Sequence, residues 1–458
     1  MIRSSWPLVI ALGILWGTCA WAQNDTGASD NSTPTQPGPK PAFTYPDTTP
    51  SLDFLNGELE NSSITLGVGA GVSYLSNGYR SSSSSNQDSW LFHVAPNIKI
   101  QQFRRKLSWY AAYSGGLQTY TYSGNGSSSQ SNNLFYQSVS ARLLWQIARH
   151  WQMQGGNFFT HSANPFDSYV THTGTPTQNN PNPVTYTPLS SFTQNTAFLT
   201  LANQLTKVDS LAFTGTTSLR NTSSYNLENS VPFYNLISYG GLASYTHRLS
   251  PRLTLGGGYN YNSLDFGRGQ QRSGIQTIEF IADYLIRPNM SISAWIGPEY
   301  TSTKTVVGIP ILGQVIYFTN HDSLWSTALG VNFGWRRQRN SFRAGFHRQV
   351  SDGGGITTTS EVNSVSATYG RLFTTKMSSQ VGVRYYNVSS IATSNRNFQN
   401  ISFYAGLNYK LARSLTANAQ YSYLHQTQSN AFLIGSGAYT DNIVGVSINY
   451  AWTHPLGR

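Results

Sequence analysis

Charged residues are scarce in this 458-residue chain, at 10% of the sequence, against about 25% in globular proteins. Long apolar runs are missing as well. No stretch of about 18 apolar residues occurs, which argues against a membrane-spanning helix. Hydrophobic residues make up 39% of the chain, too few for the very large core that a soluble protein with so little charge would need. Together these shortages favour strands in which apolar and polar residues alternate.

Cysteine occurs once, at Cys19, inside an N-terminal segment typical of a secretory signal. Arg3 precedes the apolar residues 8–16, and Ala20-Trp21-Ala22 forms a cleavage motif, which predicts a signal peptide over residues 1–22. An uncleaved membrane anchor and a lipidated Cys19 are the alternatives, and both fit the short apolar stretch and its flanks less well. Cleavage after Ala22 leaves no cysteine, which excludes disulfides and thiolate metal sites.

Alternation is clearest in residues 401–423, where apolar and polar side chains alternate along two arms that flank the turn Ala412-Arg413-Ser414. Successive side chains of a strand point to opposite faces, so each arm has one mainly apolar and one mainly polar face. Strands of soluble sheets average about 5–6 residues, whereas about 9–11 tilted residues cross a bilayer. Both arms have the longer length, which predicts a transmembrane hairpin.

The same pattern recurs over residues 62–454 and predicts one all-β domain, a transmembrane antiparallel β-barrel of about 18 strands, within a range of roughly 16–20. Short turns alternate with long polar connections, the layout of barrels with short periplasmic turns and long extracellular loops. One connection, residues 304–321, contains an apolar stretch that is either an extra hairpin or an extension above the membrane. Residues 23–61, rich in Pro, Ser, Thr and Asn, predict a flexible periplasmic tail.

The stretch Gly445-Val446-Ser447-Ile448-Asn449-Tyr450 is similar to the C-terminal assembly signal of outer-membrane barrels, although the chain continues to Arg458. With the leader and the hairpins, it makes the chain resemble Gram-negative outer-membrane β-barrel proteins. Residues 62–454 resemble, more loosely, the β-barrel porins associated with exopolysaccharide systems. The resemblance implies the outer membrane of a Gram-negative bacterium, contact with outer-membrane lipids and insertion by the barrel-assembly machinery.

Aromatic residues lie near both ends of the predicted strands on the outward face. Aromatic rings favour the headgroup level, so two belts of them are expected to bracket an apolar band. A soluble β-sandwich with ordinary strand aromatics is the alternative. The predicted belts comprise Trp109, Trp145, Trp151, Trp335, Tyr409 and Trp452 near the short turns, and Trp90, Trp325 and Tyr423 near the long loops.

Ionisable residues occupy the opposite, lumen-facing positions. The predicted pore-lining residues are the basic Lys99, Arg142, Arg220, Arg343 and Arg384, and the acidic Glu279 and Asp283. Because rings of basic side chains favour anions, the set predicts a water-filled lumen with weak anion preference. The alternative is that these side chains pair with one another and fill the interior. The connection from Ala163 to Ser191, the third long one, is either a constriction or an external lid.

The net charge of +11 arises largely at the short turns, where basic residues are dispersed around one rim. This dispersion and the predicted export exclude a nucleic-acid partner. Contact with anionic phospholipid headgroups is one interpretation, and simple solvation of turn charges is the other. The set includes Arg104, Arg105, Lys106, Arg149, Lys207, Arg248, Arg252, Arg287, Arg336, Arg337, Arg339, Lys376, Lys410 and Arg413.

No motif indicates catalysis, a metal or a cofactor, since the nine histidines are scattered and lack the spacing of ligand sets. We therefore expect no enzyme, but a porin-like channel for passive diffusion of small hydrophilic solutes. A polysaccharide export port and a structural or adhesive barrel are the alternatives, and the oligomeric state is left open. Saccharide passage would be favoured by aromatic side chains stacked in the lumen, where alternation places Tyr110, Tyr120, Tyr136, Trp295, Tyr386 and Tyr404.

Overall fold

The computed structural model describes residues 62–80, 86–104, 106–122, 131–162, 190–224, 235–267, 269–311, 314–352, 358–391, 397–429 and 439–456. The predicted leader and tail lie outside these residues, as does most of the connection from Ala163 to Ser191. Within the described parts, no helix is both long enough and apolar enough to cross a membrane.

All the elements of the described chain are strands, each 12 to 24 residues long. They are β1 Ser63–Arg80, β2 Asn86–Phe103, β3 Leu107–Tyr122, β4 Ser131–Ala148, β5 Trp151–Ser162, β6 Ser190–Gln204, β7 Asp209–Ser224, β8 Leu236–Arg248, β9 Leu253–Phe266, β10 Gln271–Arg287, β11 Met290–Ile311, β12 Gln314–Arg337, β13 Asn340–Ser351, β14 Ser360–Leu372, β15 Met377–Ser390, β16 Asn397–Ala412, β17 Leu415–Ser429 and β18 Tyr439–Pro455.

The strands form one closed antiparallel barrel, in which each strand pairs with its neighbours in sequence. Strand β1 closes the ring, since Ser63 pairs with Gln101 of β2 and with Pro455 of β18. Closure gives every strand a hydrogen-bonded neighbour on both sides over at least part of its length, as a sheet in a bilayer requires. The prediction of an 18-stranded barrel with short turns at one end and longer connections at the other is confirmed.

Side chains alternate between a buried inner face and an exposed outer face, as in β10, where buried Ile275, Thr277 and Glu279 alternate with exposed Ile278 and Phe280. A contact between strands that are not neighbours identifies the buried face as the lumen side. Across the barrel, Arg220 of β7 forms an ion pair with Asp352, which follows β13. The alternation read from the sequence therefore assigns the two faces correctly in this region.

Most of the connection predicted over residues 304–321 is strand, and of the two alternatives given for its apolar stretch the structure shows the extension. Strands β11 and β12 remain paired throughout this stretch, up to the pair Ile311 and Gln314. The physical reason is the β-branched and aromatic composition of the stretch, because such residues favour strands. The stretch is the predicted extension, a two-stranded arm that continues the wall.

The boundary of the predicted turn Ala412-Arg413-Ser414 also shifts, because its first residue joins the adjacent strand. Ala412 belongs to β16 and pairs with Leu415, which leaves a two-residue turn. Asp209 begins β7, pairs with His247 of β8 and accepts hydrogen bonds from Tyr245 and Thr206.

The barrel wall divides next to the arm. Pairing between β12 and β13 stops at Leu329 and Arg348, whereas β13 and β14 stay paired up to Ser351 and Ser360. The end of the β13–β14 hairpin thus leaves β12 and bends into the lumen. We call residues 349–352 and 358–360 the inward segment.

Candidate functional site

An ion pair joins the inward segment to the far wall. Arg220 Nη1 lies 3.1 Å from Asp352 Oδ2, and the two side chains are only 7% and 9% exposed. Five strands separate β7 from β13 along the wall, so the contact crosses the interior of the barrel. The charges of both groups are therefore held within the lumen and largely shielded from water.

Glu299 of β11 holds the inward segment through its backbone. The N–H of Val350 donates to Glu299 Oε1 at 3.0 Å, and Ser326 Oγ donates to the same oxygen at 2.9 Å. Thr277 Oγ1 donates to Oε2 at 3.5 Å. Because β13 has left β12 at this level, the Val350 N–H has no wall carbonyl opposite it. The carboxylate satisfies a donor that the division of the sheet would otherwise leave unpaired.

Apolar packing and hydrogen bonds between hydroxyl and amide groups also hold the inward segment in place. Val350 packs in a buried cluster with Leu264, Phe266 and Ile275 from β9 and β10. Thr359 accepts a hydrogen bond from Gln271 Nε2 at 3.3 Å and is hydrogen-bonded to Ser273. These partners all belong to β9 and β10, which are not neighbours of β13 or β14 in the barrel. The inward segment therefore narrows the lumen near the long-loop end.

Replacement of Glu299 with leucine tests this anchor. We expect Glu299→Leu to destabilise the folded barrel by about 1–3 kcal/mol for each buried donor that loses its partner, and to increase current fluctuations, because the inward segment is released. The free energy of unfolding in lipid vesicles and single-channel recording measure the two effects. Glu299→Gln is the matched control, since its amide oxygen still accepts from Val350. Equal stability of the two variants would contradict the assigned role.

The long-loop ends of many strands carry an apolar inner row that sequence analysis missed. Val362, Val388 and Phe398 pair directly across β14, β15 and β16, and Leu75 pairs with Ile443 across β1 and β18. All five are buried. The alternation in the sequence placed these residues on the inner face, but residues on a lumen face were expected to be polar.

The seven residues predicted to line the pore all lie on the inner face, although in different settings. Arg220 and Arg384 are buried, as is Glu279, whereas Lys99, Arg142 and Arg343 are partly exposed. Asp283 accepts a hydrogen bond from Ser293 of β11. The five bases come from β2, β4, β7, β13 and β15, so they are distributed around the barrel. Their contact with a water-filled passage remains a prediction.

Arg142 belongs to a short inner stack on β4, β5 and β6. Its guanidinium carbon lies 5.1 Å from the centroid of the Phe158 ring, and Phe158 stacks on Phe198 at 6.3 Å with an interplanar angle of 11°. A side chain at Gly156 would collide with the Phe198 ring. The cation–π contact holds the charge of Arg142 at the lumen face.

Three inner acids were missed by the sequence analysis: Glu299, Asp352 and Asp441. The alternation of side chains along β11 was sufficient to place Glu299 on the inner face. Asp352 and Asp441 could not be identified from the sequence, because both lie at the ends of long connections, where alternation does not define a face. All three are buried, and their depth depends on contacts between distant strands, as the hydrogen bond from Ser76 to Asp441 shows.

The nine predicted belt residues lie on the outward face, seven of them near the ends of their strands and Trp325 and Tyr423 near the middle of β12 and β17. Six are exposed, namely Trp90, Trp145, Trp151, Trp325, Tyr409 and Trp452, while Trp109, Trp335 and Tyr423 are half-buried. At the long-loop end, Tyr74 lies edge-on to Trp90 at 5.3 Å, and Tyr300 lies 5.0 Å from Trp325.

The inner aromatics differ from the exposed ring faces that a saccharide path requires. Tyr120, Tyr136, Trp295 and Tyr386 are only 3–4% exposed, so they pack against other side chains. The hydroxyl groups of Tyr110 and Ser140 share a hydrogen bond of 2.7 Å. In the described parts of the chain, no three His, Cys, Asp or Glu side chains are grouped closely enough to hold a metal ion.

No family model and no curated protein matches the sequence. The fold is similar to solved outer-membrane structures. Pseudomonas aeruginosa OccK7 (OpdD) is 11% identical, with a TM-score of 0.41 over 87% of this chain and 100% of that chain. The FrpB iron transporter from Neisseria meningitidis is 10% identical, with a TM-score of 0.42 over 87% and 84%. The likeness at this level is confined to barrel architecture and assigns no function.

Proposed function

We propose that this chain is an outer-membrane, porin-like channel for passive diffusion of small hydrophilic solutes, narrowed by the inward segment and weakly selective for anions. The observation that carries the proposal is the closed 18-stranded barrel with an apolar outer and a largely polar inner face. Barrels of 16–18 strands are wide enough for an aqueous channel. The mechanism requires a hydrated lumen and a size limit, and no catalytic residue or cofactor.

The outward surface supports a location in the membrane. Large apolar side chains such as Leu66, Leu199, Ile278 and Val446 are exposed on β1, β6, β10 and β18. Soluble monomers rarely expose contiguous apolar patches beyond a few hundred Å², and lipid would cover this surface. Export through the predicted leader and insertion by the assembly machinery are parts of the same proposal.

The exposure of the inner charges supports the anion preference. Glu279, Glu299, Asp352 and Asp441 are almost completely buried, so they contribute little to the field in the passage. Lys99, Arg142 and Arg343 are partly exposed. A permeating ion therefore meets mainly basic side chains, although Asp283 is partly exposed too and keeps the preference weak.

Planar-bilayer recording tests the channel and its selectivity. In a KCl gradient, we expect the reversal potential to indicate preference for chloride. The triple variant Lys99→Glu/Arg142→Glu/Arg343→Glu should reverse that preference, because it replaces the exposed basic charge by acidic charge. Absence of conductance for the folded protein would contradict the channel, and cation preference of the unaltered protein would contradict the anion claim.

A matched control variant changes the net charge of the protein by the same amount, but at positions outside the lumen. Arg149, Arg252 and Arg413 lie exposed in three short turns. Reversal of these three charges to Glu should leave the sign of the reversal potential unchanged. A sign change of the same size in both triple variants would show that selectivity arises from the overall charge of the protein.

Two further functions are separated by the same recordings. A structural or adhesive barrel predicts no conductance. A polysaccharide export port, which the resemblance to exopolysaccharide-associated barrels suggests, predicts current block by a polysaccharide. The stack of Phe158 and Phe198 is the observation in its favour, whereas the burial of Tyr120 and Tyr136 disfavours it.

A further inference from the structure

We infer that the short-turn rim carries a discrete binding site for the phosphate headgroup of an anionic phospholipid, in a cleft between the β12–β13 and β14–β15 turns. We call it the rim cleft. Its volume is about 350 Å³, and its walls include Trp335, Arg337, Arg339, Arg371 and Phe373. The inference rests on the proposed location in the outer membrane and goes beyond it, because it selects one place on the rim and one class of lipid.

Pairing between the two hairpins places three guanidinium groups around this cleft. Asn340 pairs with Arg371, and the N–H of Leu372 donates to the carbonyl of Arg339 at 2.8 Å. The consecutive turns are thus tied together at one level. Arg337 ends β12, Arg339 follows within the turn, and Arg371 faces outward on β14.

Aromatic and backbone groups fix two of these arginines. Arg339 Nη1 donates to the carbonyl of Phe373 at 3.4 Å, and the Arg371 guanidinium carbon lies 5.4 Å from the centroid of the Phe373 ring. Both contacts leave further N–H groups of each guanidinium for a ligand, because Arg carries five donors. Partly ordered guanidinium groups bind phosphate at a lower entropic cost than mobile lysines do.

Carboxylates are absent from this part of the sequence. No Asp or Glu occurs between Asp322 and Asp352, or between Glu361 and Asp441. The short-turn halves of β12, β13 and β14, and the whole of β15 and β16, therefore carry no acid that could neutralise the cleft. An anion from outside the chain is the natural counter-charge, and Arg forms bidentate hydrogen bonds with phosphate.

The surface next to the cleft favours a lipid over free phosphate. Trp335 and the exposed Phe373 belong to the aromatic level at the short-turn end. On the same outward face, Phe333 and Phe342 lie in contact at 6.0 Å, farther from the turns. A phospholipid can place its phosphate among the arginines and its acyl chains along these rings. Inorganic phosphate would gain nothing from the apolar part.

The test measures lipid retention by the purified full-length protein in mild detergent. Native mass spectrometry would compare phosphatidylglycerol, phosphatidylcholine and inorganic phosphate as probes. We expect preferential retention of phosphatidylglycerol by the unaltered protein. The variant Arg337→Gln/Arg339→Gln/Arg371→Gln should bind it on the order of 100-fold more weakly, since each basic side chain near the surface contributes about fivefold.

The control variant Arg149→Gln/Arg252→Gln/Arg413→Gln has the same net charge as the cleft variant. It should retain phosphatidylglycerol as the unaltered protein does. Equal losses in both triple variants would overturn the discrete site in favour of a diffuse basic rim. Retention by the cleft variant, or displacement of the lipid by inorganic phosphate at equal concentration, would also overturn it. If the triple variant does not fold, Arg371→Gln alone should weaken binding about fivefold, and unchanged binding would overturn the site.

Conductance of the same preparations separates this inference from the proposed function. A protein that conducts but does not select phosphatidylglycerol disproves the rim cleft alone. A protein that selects the lipid but does not conduct disproves the channel alone.

Discussion

Replacement of Arg220 with methionine should destabilise the barrel by about 3–5 kcal/mol and raise its single-channel conductance. The substitution removes the ion pair that Arg220 forms with the buried Asp352 carboxylate, and with it a contact that crosses the lumen. Burial makes the loss large, because a charge shielded from water cannot be compensated by solvent. Unfolding by guanidinium chloride in lipid vesicles measures the loss of stability, and planar-bilayer recording measures the single-channel conductance.

Two controls make this prediction specific. The double variant Arg220→Met/Asp352→Leu should recover most of the lost stability, since apolar residues often replace a buried ion pair without penalty. Arg272 and Asp265 form a pair of similar length, 2.8 Å, on the outer face, but the Arg272 side chain is 67% exposed. Arg272→Met should therefore cost no more than about 1 kcal/mol. Equal effects of the two single substitutions would show that Arg220 is not shielded in the folded protein.

Substitution of Gly297 with valine should prevent assembly or cost at least about 3 kcal/mol. Gly297 lies on β11 where the backbone of β10 approaches so closely that a Cβ atom would collide with the carbonyl of Ile278 and lie 3.3 Å from the Cα of Glu279. A backbone carbonyl in a paired strand cannot rotate away. The pairing of β10 with β11, next to Glu279 and Glu299, would have to shift.

Gly215 provides the matched control, because nothing lies within 4 Å of a Cβ placed there. Gly215→Val should change stability by no more than about 0.5 kcal/mol, as for other surface substitutions, since β-branched residues suit strands. Heat-modifiable migration on gels reports assembly, and unfolding midpoints report stability. If Gly297→Val were as stable as Gly215→Val, the close approach of β10 and β11 would be disproved.

These two predictions address different parts of the proposed channel. Gly297 concerns the wall itself, whereas Arg220 concerns the inward segment and hence the width of the passage. A variant with an intact wall and a released inward segment should conduct more current at nearly unchanged strand content. This combination would identify residues 349–352 and 358–360 as the constriction, a role that the sequence analysis considered only for the connection from Ala163 to Ser191.

Much of the wall was predictable because a strand in a barrel obeys a local rule. Alternation with a period of two identifies the inner residues Arg142 and Arg384 and the outer residues Trp145 and Trp452 without knowledge of any partner strand. Strand number followed from counting turns. Residues 304–321 were assigned to a connection, although the backbones of β11 and β12 stay paired through most of this stretch.

The sequence by itself determined the barrel, its two faces and its basic rim, since all three depend on neighbours along the chain and on composition. Only the tertiary structure decided that β13 leaves β12, that Glu299 receives the N–H of Val350, and that Arg220 meets Asp352. Residues 220 and 352 come together because the barrel closes and one hairpin bends inward. Contacts of this kind depend on the distance between opposite walls, which no local pattern encodes.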